Sequence, residues 1–241
     1  MKLFDEHNFI QQLSIDCVIF GYKEKELKVL ISKVKVELDI YTLPGGFIKQ
    51  EESIDEAAKR ILEERTGLKD IFLEQYRVFG EPFRINHEIF ENINSLKKEW
   101  LEQGVLDEND IKWLSKRFVS IGYYALVDIN KVSPQKGLFD ESVDWYNVKE
   151  LPSMIMDHNK MVQFALETLR LFLDQKLIGF NLLPETFTIR EVQELYEAVY
   201  DKPFARNNFQ KKILDLDVLE RLEKKFTGAA NKAPYLYRFR N

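Results

Sequence analysis

Gly45-Gly46-Phe47-Ile48-Lys49-Gln50-Glu51-Glu52-Ser53-Ile54-Asp55-Glu56-Ala57-Ala58-Lys59-Arg60-Ile61-Leu62-Glu63-Glu64-Arg65-Thr66-Gly67-Leu68 is a glycine turn that feeds an amphipathic helix. Gly45 and Gly46, after Pro44, allow backbone angles that a side chain would forbid. Ser53 is a good N-cap, and Glu56 three residues on completes a capping box. Ile54, Ala57, Ala58, Ile61 and Leu62 recur at helical spacing and predict one buried stripe. Gly67 ends the helix as a C-cap. Asp55, Glu56, Lys59, Arg60, Glu63 and Glu64 fall on the other face.

On these residues the chain resembles a Nudix domain. That family's signature runs Gly, five residues, Glu, seven residues, then Arg-Glu-apolar-any-Glu-Glu-any-Gly-apolar. Gly46, Glu52, Arg60, Leu62, Glu64, Gly67 and Leu68 fall on it. Two positions depart: Ile61 stands where the signature has its first helical glutamate, and Arg65 where it has the last. The resemblance implies a helix that holds Mg²⁺ on carboxylates three and four residues apart, hence on one face. Magnesium takes oxygen ligands and neutralises the diphosphate being cleaved. Ile61 has no oxygen, and Arg65 puts a permanent positive charge where a cation should bind, a repulsion of about a kcal/mol or more. Glu52 and Arg60 resemble the family's structural ion pair and persist without catalysis. The expectation is a Nudix fold with a degenerate box (Gly46, Glu52, Arg60, Glu64), no catalytic residue, no metal and no cofactor. The alternative is a diverged Mg²⁺-dependent hydrolase that recruits other carboxylates.

Composition supports an ordinary soluble protein. The 241 residues are 45% hydrophobic, enough for one large domain or two modest ones. The acidic start, Asp5-Glu6, precedes no long apolar run, so neither a signal peptide nor a membrane span is expected, and the location reads as cytoplasmic. Cys17, the only cysteine, lies in the apolar run 15–20 and is expected to be a buried structural thiol. His7, His87 and His158 have no metal-ligand or triad spacing.

Residues 14–22 and 27–34, rich in Val, Ile and aromatics, predict two strands around the charged turn 23–26. Short strands at 41–43 and 47–48 flank the glycine turn. Further strands are expected at 71–79, 117–127 and 143–148, with a helical insertion at about 85–116 made of 88–101 and 108–114. The insertion reads as a surface elaboration, a lid or a dimer contact. Asp157 is expected to cap a helix running to about Lys176. The division is therefore 1–155 for the first domain, 156–180 for a stiff connecting helix, and 181–241 for a second domain.

The second domain has its own charge. Residues 202–241 hold ten Lys and Arg against four acids, +6 on a chain of −5, which leaves −11 on residues 1–201. Such a basic end on an acidic protein suggests a polyanionic partner. Thr188 caps a helix with Ile189, Val192, Leu195, Tyr196 and Val199 on one face. After Lys202-Pro203, a second helix at about 205–216 is expected to bury Phe209, Ile213 and Leu216. Its other side shows Arg206, Asn207, Gln210 and Lys211, with Asn208 and Lys212 at the margins. These are the side-chain types that read base edges and phosphates. Residues 219–226 and 235–239 pair as a hairpin across a loop containing Lys232. Helix, turn, helix and basic hairpin make a winged helix-turn-helix, and the whole chain reads as α+β.

This arrangement resembles the Nudix-related transcriptional regulators, of NrtR type and AraR type, across nearly the whole chain. The resemblance implies that an effector bound in the Nudix-like domain releases operator DNA. NrtR-type sensors take ADP-ribose or a related nucleotide, AraR-type sensors a pentose such as L-arabinose. The insertion and the lost carboxylates place this chain with the sugar-responsive branch, as a repressor of a sugar-utilisation pathway. A neutral sugar needs hydrogen-bonding side chains and an aromatic wall, for which Tyr41, Phe83, Arg84 and Tyr123 are the candidates. Arg65 or Arg84 pairing with a phosphate is the nucleotide alternative. A homodimer is expected, because two half-sites multiply selectivity.

Overall fold

A computed structural model describes residues 4, 6–36, 39–82, 84, 98–102, 104–173, 178–225 and 233–240. Among them a seven-stranded mixed sheet is built around β1 (Phe9–Lys23), which turns through Glu24 and Lys25 into antiparallel β2 (Glu26–Val34). β3 (Tyr41–Thr42) continues from β2. β4 (Gly45–Lys49) pairs antiparallel with the first half of β1. β5 (Phe72–Phe79) lies antiparallel on β6 (Val119–Val127), and β6 runs parallel to β1 from Leu13↔Val119 to Gly21↔Val127. β7 (Asp140–Asn147) closes the far side on β2.

Alternation along β1 divides the interior into two cores. Ile15, Cys17 and Ile19 point to one face, where α1 (Ile54–Thr66) covers them with Ala57, Ala58, Ile61 and Leu62. Val18 and Phe20 point to the other face, under α3 (His158–Phe172) with Met161, Val162, Ala165 and Leu169. Burial pushes the Cys17 thiol up to about 12, so at neutral pH it is an inert filler of the first core.

The insertion contributes helical backbone over 98–102 and α2 (Glu108–Leu114), started by a capping box between Asp107 and Asp110; the predicted helix 88–101 otherwise lies outside the described residues. Trp113 of α2 stacks on Phe4 at 5.2 Å and meets Phe47 edge-on at 4.6 Å. Asp110 accepts the Phe4 N–H at 2.8 Å. The described part of the insertion is thus an aromatic buttress behind the glycine turn.

After α3 the chain makes a 3₁₀ turn (Ile178–Leu182), then α4 (Ile189–Tyr200), α5 (Arg206–Asp215) and the hairpin β8 (Leu219–Lys224) with β9 (Tyr235–Phe239). Phe187 and Tyr237 exchange backbone hydrogen bonds of 2.9 and 2.7 Å, adding a third rung to the hairpin. The helix is described to Phe172, and the rest of the expected run to Lys176 falls on residues 174–177, outside the description. The contacts between the two parts extend beyond that helix. Leu195, Tyr196, Val199, Phe209 and Ile213 belong to the same buried cluster as Val18, Phe20 and Leu126. Polar clasps rim it: the Arg170 Nε donates to Val199 O at 2.7 Å, the Tyr200 hydroxyl donates to Arg170 O at 2.8 Å, and Lys25 meets Glu194 at 3.0 Å.

A shared core predicts a shared unfolding transition. Leu195→Ala, a cavity in α4, should cost about 2–5 kcal/mol. All three tryptophans, Trp100, Trp113 and Trp145, lie in the first half of the architecture. Their fluorescence midpoint should nevertheless fall together with the circular-dichroism midpoint. A fluorescence midpoint that stays put while the helical signal melts early would mean two independent domains.

Candidate functional site

The glycine turn and α1 form as their residues dictate. Ser53 caps α1 with Glu56 in a reciprocal capping box, and Gly67 ends it in the left-handed region at φ 72°. A Cβ on Gly46 would lie 2.9 Å from Ile61, so the missing side chain lets the turn sit directly on the helix. Glu52 and Arg60 form a tight clasp: Arg60 donates to both Glu52 oxygens, at 2.9 and 2.5 Å, and to Phe47 O at 2.9 Å. The Lys49 N–H donates to Glu52 at 2.8 Å. The Arg60 hydrogen bonds hold the Glu52 carboxyl below the usual carboxylate range.

The rest of the box does not fit a metal. Ile61 is 1% exposed and belongs to the core. Glu64 faces Arg60 at 3.2 Å, and Glu63 faces Lys69 at 3.2 Å. Arg65 turns inward onto Asp140 at 2.5 Å and Gly45 O at 3.3 Å. Among the described residues, no group of three or more His, Cys, Asp or Glu comes together as a metal cluster would. A cation here would meet an apolar side chain at 61 and a guanidinium at 65 where the signature supplies two carboxylates.

The opposite face of the sheet carries a second polar group. His158, the first residue of α3, is fully buried, and its Nδ1 accepts the Leu43 N–H at 3.0 Å. That assigns the proton to Nε2, which lies 3.9 Å from Asp16 Oδ1 without a hydrogen bond among the described residues. Asp16 accepts instead from the Ser120 hydroxyl. Beside it Arg84 grips Asp157 through Nε at 3.0 Å and Nη2 at 2.7 Å. Asp157 therefore stands at the N-cap of α3 without capping it, contrary to the sequence expectation, because the guanidinium claims its carboxylate.

The effector candidates do not converge. Tyr123 faces α1 and donates to Asp55 at 2.5 Å, Arg84 lies on the α3 face, and Tyr41 packs edge-on to Tyr146 at the β3 edge, with centroids 5.9 Å apart. Phe83 lies outside the described residues. Arg65 and Arg84, considered for a phosphate, are both committed to carboxylates, one buried and one half-buried. A cleft of about 840 Å³ opens elsewhere, between the sheet and the wing, along Phe72, Leu126, Lys131, Phe180, Glu185 and Phe239.

In the C-terminal part, Thr188 caps α4 in a reciprocal box with Glu191. α5 buries Phe209 and Ile213 against α4 and exposes Arg206, Asn207, Asn208, Gln210, Lys211 and Lys212. Leu216, expected in the buried stripe, is 38% exposed, because the helix ends at Asp215 and leaves it on the C-cap. The wing's charge is partly spent internally: Lys225 pairs with Glu191, Arg238 with Glu220 and Arg240 with Asp217. Arg206 and Lys211 have no carboxylate partner among the described residues. Arg206 and Lys211 thus carry their charge on the exposed side of α5, while Arg221 and Lys224 of the wing lie over the Tyr235 ring at 4.7 and 5.5 Å; Lys232 lies outside the description.

The NUDIX domain model matches residues 11–170. The chain belongs to the Nudix family. A second model, the NrtR DNA-binding winged helix domain, matches residues 179–239, so an NrtR-type winged helix follows the Nudix domain. Among curated proteins, the ADPR responsive transcriptional repressor NtrR of Acinetobacter baylyi is 23% identical over 234 residues, 94% of this chain and 81% of that one. Among solved structures, Shewanella oneidensis NrtR complexed with a 27mer DNA is 24% identical, with a TM-score of 0.69 over 95% of this chain and 94% of that chain. A MutT/nudix family protein from Enterococcus faecalis is 19% identical, with a TM-score of 0.67 over 96% and 89%. These structures share the fold; none of these relatives points to the AraR branch or to arabinose.

Sequence reasoning missed Asp16 and Asp140, and the parts played by Asp157 and His158, whose signals are single acids or a histidine among apolar residues. His158 yields a pH test. Burial holds its pKa below the ordinary 6.5. Its contribution is therefore complete above about pH 6.5 and is lost as pH falls below it, by at most about 1.4 kcal/mol per pH unit. The stability of the wild type should fall relative to His158→Asn between pH 7 and 5. A gap that does not change with pH would show that His158 does not titrate in this window.

Proposed function

We propose that the protein is a ligand-responsive transcriptional repressor whose Nudix domain senses ADP-ribose or a closely related nucleotide rather than a pentose, and does not hydrolyse it. The observation that carries this reading is a single architecture: an NrtR-type winged helix with an exposed basic helix, packed on a Nudix domain whose box has Ile61 and Arg65 in place of two acids. The similar protein of Acinetobacter baylyi is ADPR responsive, and that supports the nucleotide. The lost carboxylates, which favoured a sugar at first sight, discriminate poorly. They serve bond cleavage, and a sensor needs only to bind.

Reading of DNA falls to the first turns of α5. N-terminal residues of a recognition helix reach base edges, and its later lysines reach phosphates. Arg206, Asn207, Asn208 and Gln210 are assigned to bases, and Lys211, Lys212 and Lys232 to phosphates. A homodimer on an imperfect palindrome supplies the second half-site.

Fluorescence anisotropy with the protein's own upstream region tests the reading. ADP-ribose should weaken operator binding, L-arabinose should leave it unchanged, and nucleotide release from ADP-ribose should stay far below about one turnover per second. Arg206→Ala or Asn208→Ala should cost about 1–3 kcal/mol for each base that is no longer read. Lys211→Ala should weaken all sequences alike and flatten the salt dependence by about one unit. Operator affinity indifferent to ADP-ribose but lowered by arabinose would return the protein to the sugar branch.

A further inference from the structure

We propose that Arg65 is a built-in replacement for a divalent cation, so that this Nudix domain is completed by its own side chain and gains nothing from metal. Of the readouts that test it, only ADP-ribose binding rests on the sensing role proposed above.

The guanidinium lies where three segments meet. Its Nη1 donates to Asp140 Oδ2 at 2.5 Å and its Nη2 to Gly45 O at 3.3 Å. The end of α1 is thereby tied to the first peptide of β4 and to the first residue of β7. The same Asp140 oxygen accepts the Gly137 N–H at 2.7 Å and the Ser32 hydroxyl at 3.2 Å. Behind it, Gln135 N donates to Arg65 O at 3.0 Å and Ser133 N to Thr66 O at 3.1 Å, clamping the loop 133–140 on the helix end.

A carboxylate and a carbonyl oxygen aimed at one point are the donors that a hard cation takes. Here they surround a guanidinium that cannot lose its charge. The loop is shaped to this group: a Cβ on Gly137 would lie 2.1 Å from Arg65 Nη1. Exposure of the two side chains is 16% and 4%, so solvent screens the pair little. Removing one partner of such a pair strands the other's charge.

Thermal unfolding of the full chain, in EDTA and in millimolar Mg²⁺ with an ionic-strength-matched NaCl control, tests this directly. The wild type should respond to Mg²⁺ no more than to NaCl. R65E sets two carboxylates and the Gly45 carbonyl around one point. It should melt about 5–15 °C lower in EDTA and recover at least half of that loss in Mg²⁺. R65Q, which removes the charge and adds no ligand, should show the same loss without recovery. Stabilisation of the wild type by Mg²⁺ beyond the salt control, or R65E left unrescued, would overturn the proposal. Should R65E fail to fold in any condition, an R65Q that melts with the wild type would overturn it instead. Finally, ADP-ribose should bind equally in EDTA and Mg²⁺, within about twofold. Absence of binding in both would count against the sensing role alone, since the thermal measurements need no effector.

Discussion

The period-two alternation of a single long strand governs this molecule. β1 pairs with β2, β4 and β6, and its side chains point by turns to opposite faces. Ile15, Cys17 and Ile19 create the seat of α1, while Val18 and Phe20 create the seat of α3 and, beyond it, of α4 and α5. A one-residue slip of β1 would exchange both faces at once. Asp16 shows how tightly the register is drawn. It stands between two apolar neighbours, 8% exposed, satisfied by Ser120 from β6.

Within that frame, the Nudix helix keeps its architecture while two of the signature's acids are replaced, by Ile61 and Arg65. The Glu52–Arg60 clasp holds the glycine turn, and Ile61 fills the space that Gly46 opens. Neither interaction needs a metal. A carboxylate at 61 would sit in an apolar core without a partner, a desolvation cost of several kcal/mol. In this chain an apolar residue at 61 is what the packing asks for. Fold and cleavage therefore depend on different residues of the same thirteen-residue helix.

Much of this was legible beforehand. Ser53 with Glu56, Gly67 and Thr188 are local cap signals whose hydrogen bonds span three or four residues, and each is made as read; the Glu191 half of the second capping box was not read. The order of strands followed from runs of Val, Ile and aromatics. What could not be read were pairings across long separations. Nothing near Arg65 in sequence announces Asp140, and nothing near Arg84 announces Asp157. Their charges looked free for a ligand because a sequence shows a charge but not its counter-ion. The wing teaches the same, with three of its cations neutralised at home. Tyr123 and Arg84 were candidates for one pocket but lie on opposite faces of the sheet, Tyr123 against Asp55 and Arg84 against Asp157.

The core that runs from the sheet into α4 bears on how such a protein can be rebuilt. Val192, Leu195, Tyr196 and Val199 are buried in part by residues of the Nudix half. Cut away from the sheet, the winged helix would present that apolar face to water and invite self-association. It is therefore not an exchangeable cassette. A new sensor grafted in front of this reader would have to reproduce the sheet surface beneath α4 as well as the linker. Exchange of either half between proteins of this build is confined to swaps that carry the joint intact, so the two halves travel together.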